Sequence, residues 1–112
     1  MTREERKQTG NMTEAEYMPV VNHIPHGRKN AISRERLASE MKMTDRYVRE
    51  CIEAARRDGV FIVTAAEHGG YYIATDIDEI ERQYRIDHAR ALSVLSRLKY
   101  MKQALKKAGR KV

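Results

Sequence analysis

Residues 32–74 read ISRERLASEMKMTDRYVRECIEAARRDGVFIVTAAEHGGYYIA, and this stretch decides the fold. Ser33 suits the position before a helix, because its hydroxyl can accept from a free first-turn N–H. A helix from Arg34 to about Met41 then buries Leu37, Ala38 and Met41, which stand at i, i+1 and i+4. Lys42-Met43 makes a turn with Met43 as an apolar plug. Thr44 caps a second helix, and Asp45 in its first turn suits the positive helix end. This helix is expected to end at Asp58, with Gly59 taking the left-handed position that follows. Val48, Cys51, Ile52 and Ala55 fall in one stripe at about 100° per residue. Arg46, Glu50, Glu53 and Arg57 lie opposite, flanked by Arg49 and Tyr47. Val60–Thr64 and Tyr71–Ala74 are β-branched and aromatic, hence strands. Residues 65–70 join them as a hairpin loop whose paired glycines permit positive φ angles. The alternation does not decide which of Tyr71 and Tyr72 points inward.

Upstream, Tyr17, Val20, Val21 and Ile24 mark one face of a further short helix. Pro19 fits the first turn of that helix, or the helix starts at Thr13 and kinks at Pro19. Pro25 and Gly27 end it in a loop carrying His26, Arg28 and Lys29, and Ala31-Ile32 reads as a very short strand. Residues 1–12 mix charge with almost no apolar content and read as a flexible tail.

Downstream, Asp76 and Glu79 form a capping box built on Asp, and nothing breaks the helix until Gly109. About thirty helical residues make roughly 45 Å, longer than a small domain is wide. Tyr84, Ala91, Leu98 and Leu105 recur every seven residues, beside Ile77, Ile80, His88 and Leu95, while Lys102 interrupts the stripe. Both a dimerising helix and an intramolecular clamp fit that pattern. From Arg90 onward every charged side chain of this helix and its tail is basic.

The chain of 112 residues has an ordinary apolar share, 41%, which argues against disorder throughout. Its 22 basic and 16 acidic residues give +6, and that sign favours an anionic partner. A lone cysteine and the absence of an apolar leader fit the cytoplasm, and no apolar run is long enough to span a bilayer.

The order helix, helix, turn, helix, glycine, strand, loop, strand resembles the winged helix-turn-helix family, and ISRERLASEMKMTDRYVRECIEAARRDGVFIV followed by GGYYIA looks like its small bacterial and phage members. The fold this implies is mainly α with a small β-hairpin: a winged helix-turn-helix core over 13–75, a long C-terminal helix over 76–108 for dimerisation or clamping, and a basic tail over 109–112. The resemblance implies a recognition helix, residues 44–58, in the major groove of double-stranded DNA, with residues 65–70 as the wing.

On that reading Arg46, Arg49 and Arg57 reach bases and nearby phosphates, and Tyr47 packs on the sugar-phosphate backbone. Thr44 and the free N–H groups of the helix start hold one phosphate. Arg28, Lys29, Lys99, Lys102 and Lys106 add non-specific affinity. The protein is then a small transcriptional regulator or a replication accessory factor, and a homodimer through the C-terminal helix would read a two-fold site. Two departures point to an alternative. The wing carries Glu67 and His68 but no Lys or Arg, and Glu50 and Glu53 share the arginine face. Both suit a protein-interaction module on the same fold, such as a phage factor that binds or inhibits a host protein. Placing the basic helix on a membrane surface is disfavoured by its thin apolar face.

Nothing in the sequence reads as an enzyme. His23, His26, His68 and His88 show no metal spacing with Cys51, and there is no phosphate-cradling glycine loop. No cofactor and no metal are expected.

Overall fold

The computed structural model describes residues 12–66 and 69–112. The expected flexible tail, Met12 excepted, and Glu67 and His68 of the expected wing lie outside the described residues. The chain is mainly helical: α1 (Glu14–His23), a 3-10 turn (Arg28–Asn30), α2 (Arg34–Met41), α3 (Asp45–Arg57), β1 (Ile62–Thr64), β2 (Tyr71–Ile73) and α4 (Ile77–Lys107). It divides into two compact units, the first reaching Ile80 and the second spanning Glu81–Val112.

In the first unit the three short helices begin at side-chain caps. Thr13, Ser33 and Thr44 accept from the backbone N–H of Glu16, Arg36 and Tyr47, each at 3.1 Å. The first of these settles where α1 starts. The helix runs from the Thr13 cap through Pro19, which therefore does not sit in the first turn. A proline inside a helix costs about 3 kcal/mol. Two contacts offset this: Thr13 and Glu16 cap each other, and Tyr17, ahead of the proline, is buried with Val20 and Ile24.

The Tyr17 hydroxyl also donates to Asp58 Oδ2 at 2.8 Å, tying α1 to the residue that closes α3. That hydrogen bond, then burial, then the negative charges of Asp58 and Glu14, push the Tyr17 pKa from 10.0 up to about 12. A raised phenol pKa means that the neutral form is favoured by folding, so its contribution is complete below pH 10 and is lost as pH rises toward 12. Tyr17→Phe should therefore cost about 1–2 kcal/mol at neutral pH. In urea titrations the gap between the two proteins should close from pH 10 to pH 12; a gap independent of pH would show that Asp58 does not hold the phenol.

Between α2 and α3 the chain turns at Lys42, in the left-handed region at φ 55°, ψ 44°, and the Met43 N–H returns to Ala38 O at 3.0 Å. Leu37, Val48, Cys51, Ile52 and Ala55 form the centre of the core, with Met41 and Met43 partly buried against it. The last helical residue of α3 is Arg57, one short of the expected end; Asp58 caps it and Gly59 follows at φ 94°.

The strands are shorter than the sequence suggests. Val60 donates to Ala55 O at 3.0 Å, so its N–H closes the helix instead of joining the ladder, and Phe61 is exposed. The antiparallel register pairs Ile62 with Ile73, Val63 with Tyr72 and Thr64 with Tyr71. The expected strand at Ala31-Ile32 is a single bridge, in which Ile32 and Tyr71 exchange both backbone hydrogen bonds at 2.9 and 2.7 Å. Both faces of the hairpin are covered. Ile62 joins the helical core, while Tyr72 is buried with Val63 and Ala65 in a second cluster. Tyr71 is half-buried against the first.

The helix α4 starts with a variant of the expected capping box. Asp76 Oδ1 accepts from the Glu79 N–H at 3.0 Å, but the Glu79 carboxylate reaches back to Thr75, accepting from its N–H and its hydroxyl, each at 2.9 Å. The Thr75 N–H holds the Glu79 pKa below the usual carboxylate value.

In the second unit Arg85 pairs with Glu81 at 2.7 Å, and the rings of Tyr84 and His88 stack at 5.6 Å. Every residue from Asp87 to Val112 is exposed. Gly109, at φ 76°, ends the helix, with Arg110 N–H donating to Leu105 O at 2.8 Å. No helix among the described residues is long and apolar enough to cross a membrane.

Candidate nucleic-acid interface

The outer face of α3 is built by its inner one. Val48, Cys51, Ile52, Ala54 and Ala55 are all buried, so the helix can turn no other way without exposing them. The opposite face then carries Arg46, Arg49, Glu50, Glu53 and Arg57, all exposed. The Arg46 side chain is 90% exposed and meets Glu50 Oε1 at 3.3 Å, a surface contact worth about 0.3–0.5 kcal/mol that a stronger ligand displaces easily. Among the described residues, Arg49 and Arg57 make no ion pair. Three guanidinium groups on one exposed helical face can each present a fork of N–H donors to phosphate oxygens or a guanine edge.

The start of α3 is fixed from two directions. Thr44 Oγ1 accepts from the Tyr47 N–H, which leaves its O–H as a donor. Arg34, from the first turn of α2, donates to Asp45 Oδ1 at 2.6 Å. That pair partly neutralises the one carboxylate at the helix start, where an incoming phosphate would otherwise meet a negative charge. Tyr47 is half-buried and packed against the core, so only part of its ring is available to a ligand. Arg28 and Lys29 are exposed in the 3-10 turn, while Lys99, Lys102 and Lys106 are exposed on α4 in the second unit.

Arg56 is the residue that sequence reasoning overlooked. Its Nε donates to Ile62 O at 2.9 Å, its Nη1 meets Glu53 at 3.2 Å and its Nη2 reaches Thr64 Oγ1 at 3.4 Å. The guanidinium lies 5.7 Å from the centre of the Tyr71 ring. One side chain thus joins the end of α3 to both strands of the hairpin. The adjacent pair Arg56-Arg57 offers no sign of this: one faces the hairpin and the other faces solvent, a distinction that depends on where β1 returns. Arg56→Ala should lower stability by about 1–3 kcal/mol. Arg56→Lys should recover only part, because an ammonium cannot span the same acceptors. Thermal melts of the two variants test this, and an unchanged midpoint for Arg56→Ala would rule the bridge out.

Elsewhere Glu40 is held below the usual carboxylate pKa by His23 at 3.2 Å and Arg36 at 2.7 Å, linking α1 to α2. Burial raises the Cys51 thiol pKa and keeps it protonated, the opposite of what a nucleophile needs. Among the described residues no group of three or more His, Cys, Asp or Glu side chains is placed to share a metal ion. A scan of protein-family models, a search of curated proteins and a search of solved structures each returned no match to this chain.

Proposed function

We propose that this protein binds double-stranded DNA through α3, as a winged helix-turn-helix regulator or replication accessory factor of the small bacterial or phage type. The observation that carries this reading is the exposed arginine face of α3 behind a fully buried stripe. In it Arg46, Arg49 and Arg57 reach into the major groove, and the Thr44 hydroxyl and first-turn N–H groups hold a phosphate. The antiparallel hairpin that follows takes the place of a wing, and the net charge of +6 supplies long-range attraction.

The test is a gel shift with a pool of random and genomic duplexes over a range of salt. Enrichment of a common site, with affinity falling steeply as salt rises, supports the reading. Glu50 and Glu53 favour a second reading. Each meets an arginine, Arg46 and Arg56 in turn, so the face presents carboxylates as well as cations, as a protein contact does. Absence of any shift at low salt, together with recovery of one host protein by pull-down, would transfer the function to that partner.

A further inference from the structure

The second unit presents an apolar seam that the sequence pattern alone obscured. Counting Val94 and Met101 as the partners of Ala91, Leu98 and Leu105, three residues on instead of four, removes the interruption at Lys102. The result is a continuous line with the alternating spacing of a coiled-coil seam. Val94 is 43%, Leu98 47%, Met101 56% and Leu105 41% exposed. At 1.5 Å per residue the line from Ala91 to Leu105 is roughly 20 Å long. Isolated helices are marginal in water, and most draw their stability from packing an apolar face.

Charge along α4 says what covers this face. Up to Ala91 the helix holds four acidic and three basic side chains; from Leu92 to Val112 it and its tail hold seven cations and no anion. A parallel copy would set seven cations along seven. It would also place Asp87, the charged member of the seam, against its own twin. A reversed copy sets the basic half against the half that holds every acid. With Tyr84 opposite Met101 and Ala91 opposite Val94, Glu81 stands beside Lys102 of the other chain, and Asp87 lies across from Leu98 with Arg97 of the other chain beside it. DNA would meet the cations but not the apolar line, whereas a second copy offers an apolar line and four carboxylates together.

We propose that α4 pairs with α4 of a second copy in antiparallel orientation, through Ala91, Val94, Leu98 and Met101. The pairing does not depend on DNA binding and is tested without DNA. Sedimentation of the full chain should give a dimer. Leu98→Asp should weaken it by at least about a hundredfold, because it would remove an apolar seam residue and set a second carboxylate against Asp87 of the other chain. Leu98 is exposed in the single chain, so the melting of the first unit should be unchanged by this variant.

Orientation is read from Lys107→Cys carrying a nitroxide, Cys51 being fully buried and shielded from the label. Pulsed dipolar spectroscopy should give a separation of roughly 40–45 Å between the two labels, from about 29 residues of rise. A monomer, a dimer that survives Leu98→Asp, or a separation under about 20 Å, as in a parallel pair, would each overturn the proposal.

Discussion

Leu37→Ala should destabilise the first unit by about 2–5 kcal/mol, the range for deleting a fully buried leucine in a core that cannot collapse around the gap. Leu37 has no exposed surface and sits among Val48, Cys51 and Ile52, where α2 meets α3. A unit of this size is stabilised by roughly 4–12 kcal/mol in total, so the loss is a large fraction of what holds it together. With a urea slope of about 1–3 kcal/mol per molar, the midpoint should fall by about 0.7 M or more. Arg36→Ala, one residue earlier and exposed, is the control and should stay within about 0.5 kcal/mol. A Leu37→Ala midpoint matching that control would mean that α2 is not seated on α3 as described, and the outer face of α3 would lose its structural warrant.

The second large effect belongs to the arginine face. Arg46→Ala, Arg49→Ala and Arg57→Ala combined should reduce affinity for a selected duplex by about 3 kcal/mol or more, over a hundredfold. That figure takes each guanidinium at the low end of what a bidentate base contact contributes, about 1–3 kcal/mol. Arg49→Ala alone should relax preference at one base position by about that amount. Substitutions at arginines that meet only phosphate should lower the salt slope by roughly 0.9 for each phosphate no longer neutralised. All three positions are exposed, so the triple variant should fold and melt as the parent does. Equal binding by parent and triple variant, with folding intact, would refute the groove assignment and leave the mixed-charge face to a protein partner.

The two experiments separate scaffold from surface. Leu37→Ala acts on folding and reaches DNA only through the unfolded fraction, whereas the arginine variants act on binding and leave the scaffold alone. A variant set in which both quantities fell together would point to a face that is part of the core.

Much of this was legible in the chain itself, for a local reason. Ser33, Thr44, Gly59 and Gly109 mark helix ends because the hydrogen bonds that stop or start a helix close within a few residues. The stripe of Val48, Cys51, Ile52 and Ala55 was readable because helical period alone sorts inside from outside, and with it came the exposure of Arg46, Arg49 and Arg57. What only the tertiary structure decided involves partners distant in sequence or a surface covered on both sides. The Thr13 cap starts α1 ahead of Pro19, and the helix is held there by Tyr17, anchored on Asp58, 41 residues away. Tyr72 rather than Tyr71 is the fully buried tyrosine because a second cluster covers its face of the hairpin, and alternation cannot rank two covered faces. Arg56 became a strut and Arg57 stayed on the surface because β1 returns past one of them. A period along the chain tells a side chain which way to point; what stands there to meet it depends on the rest of the fold.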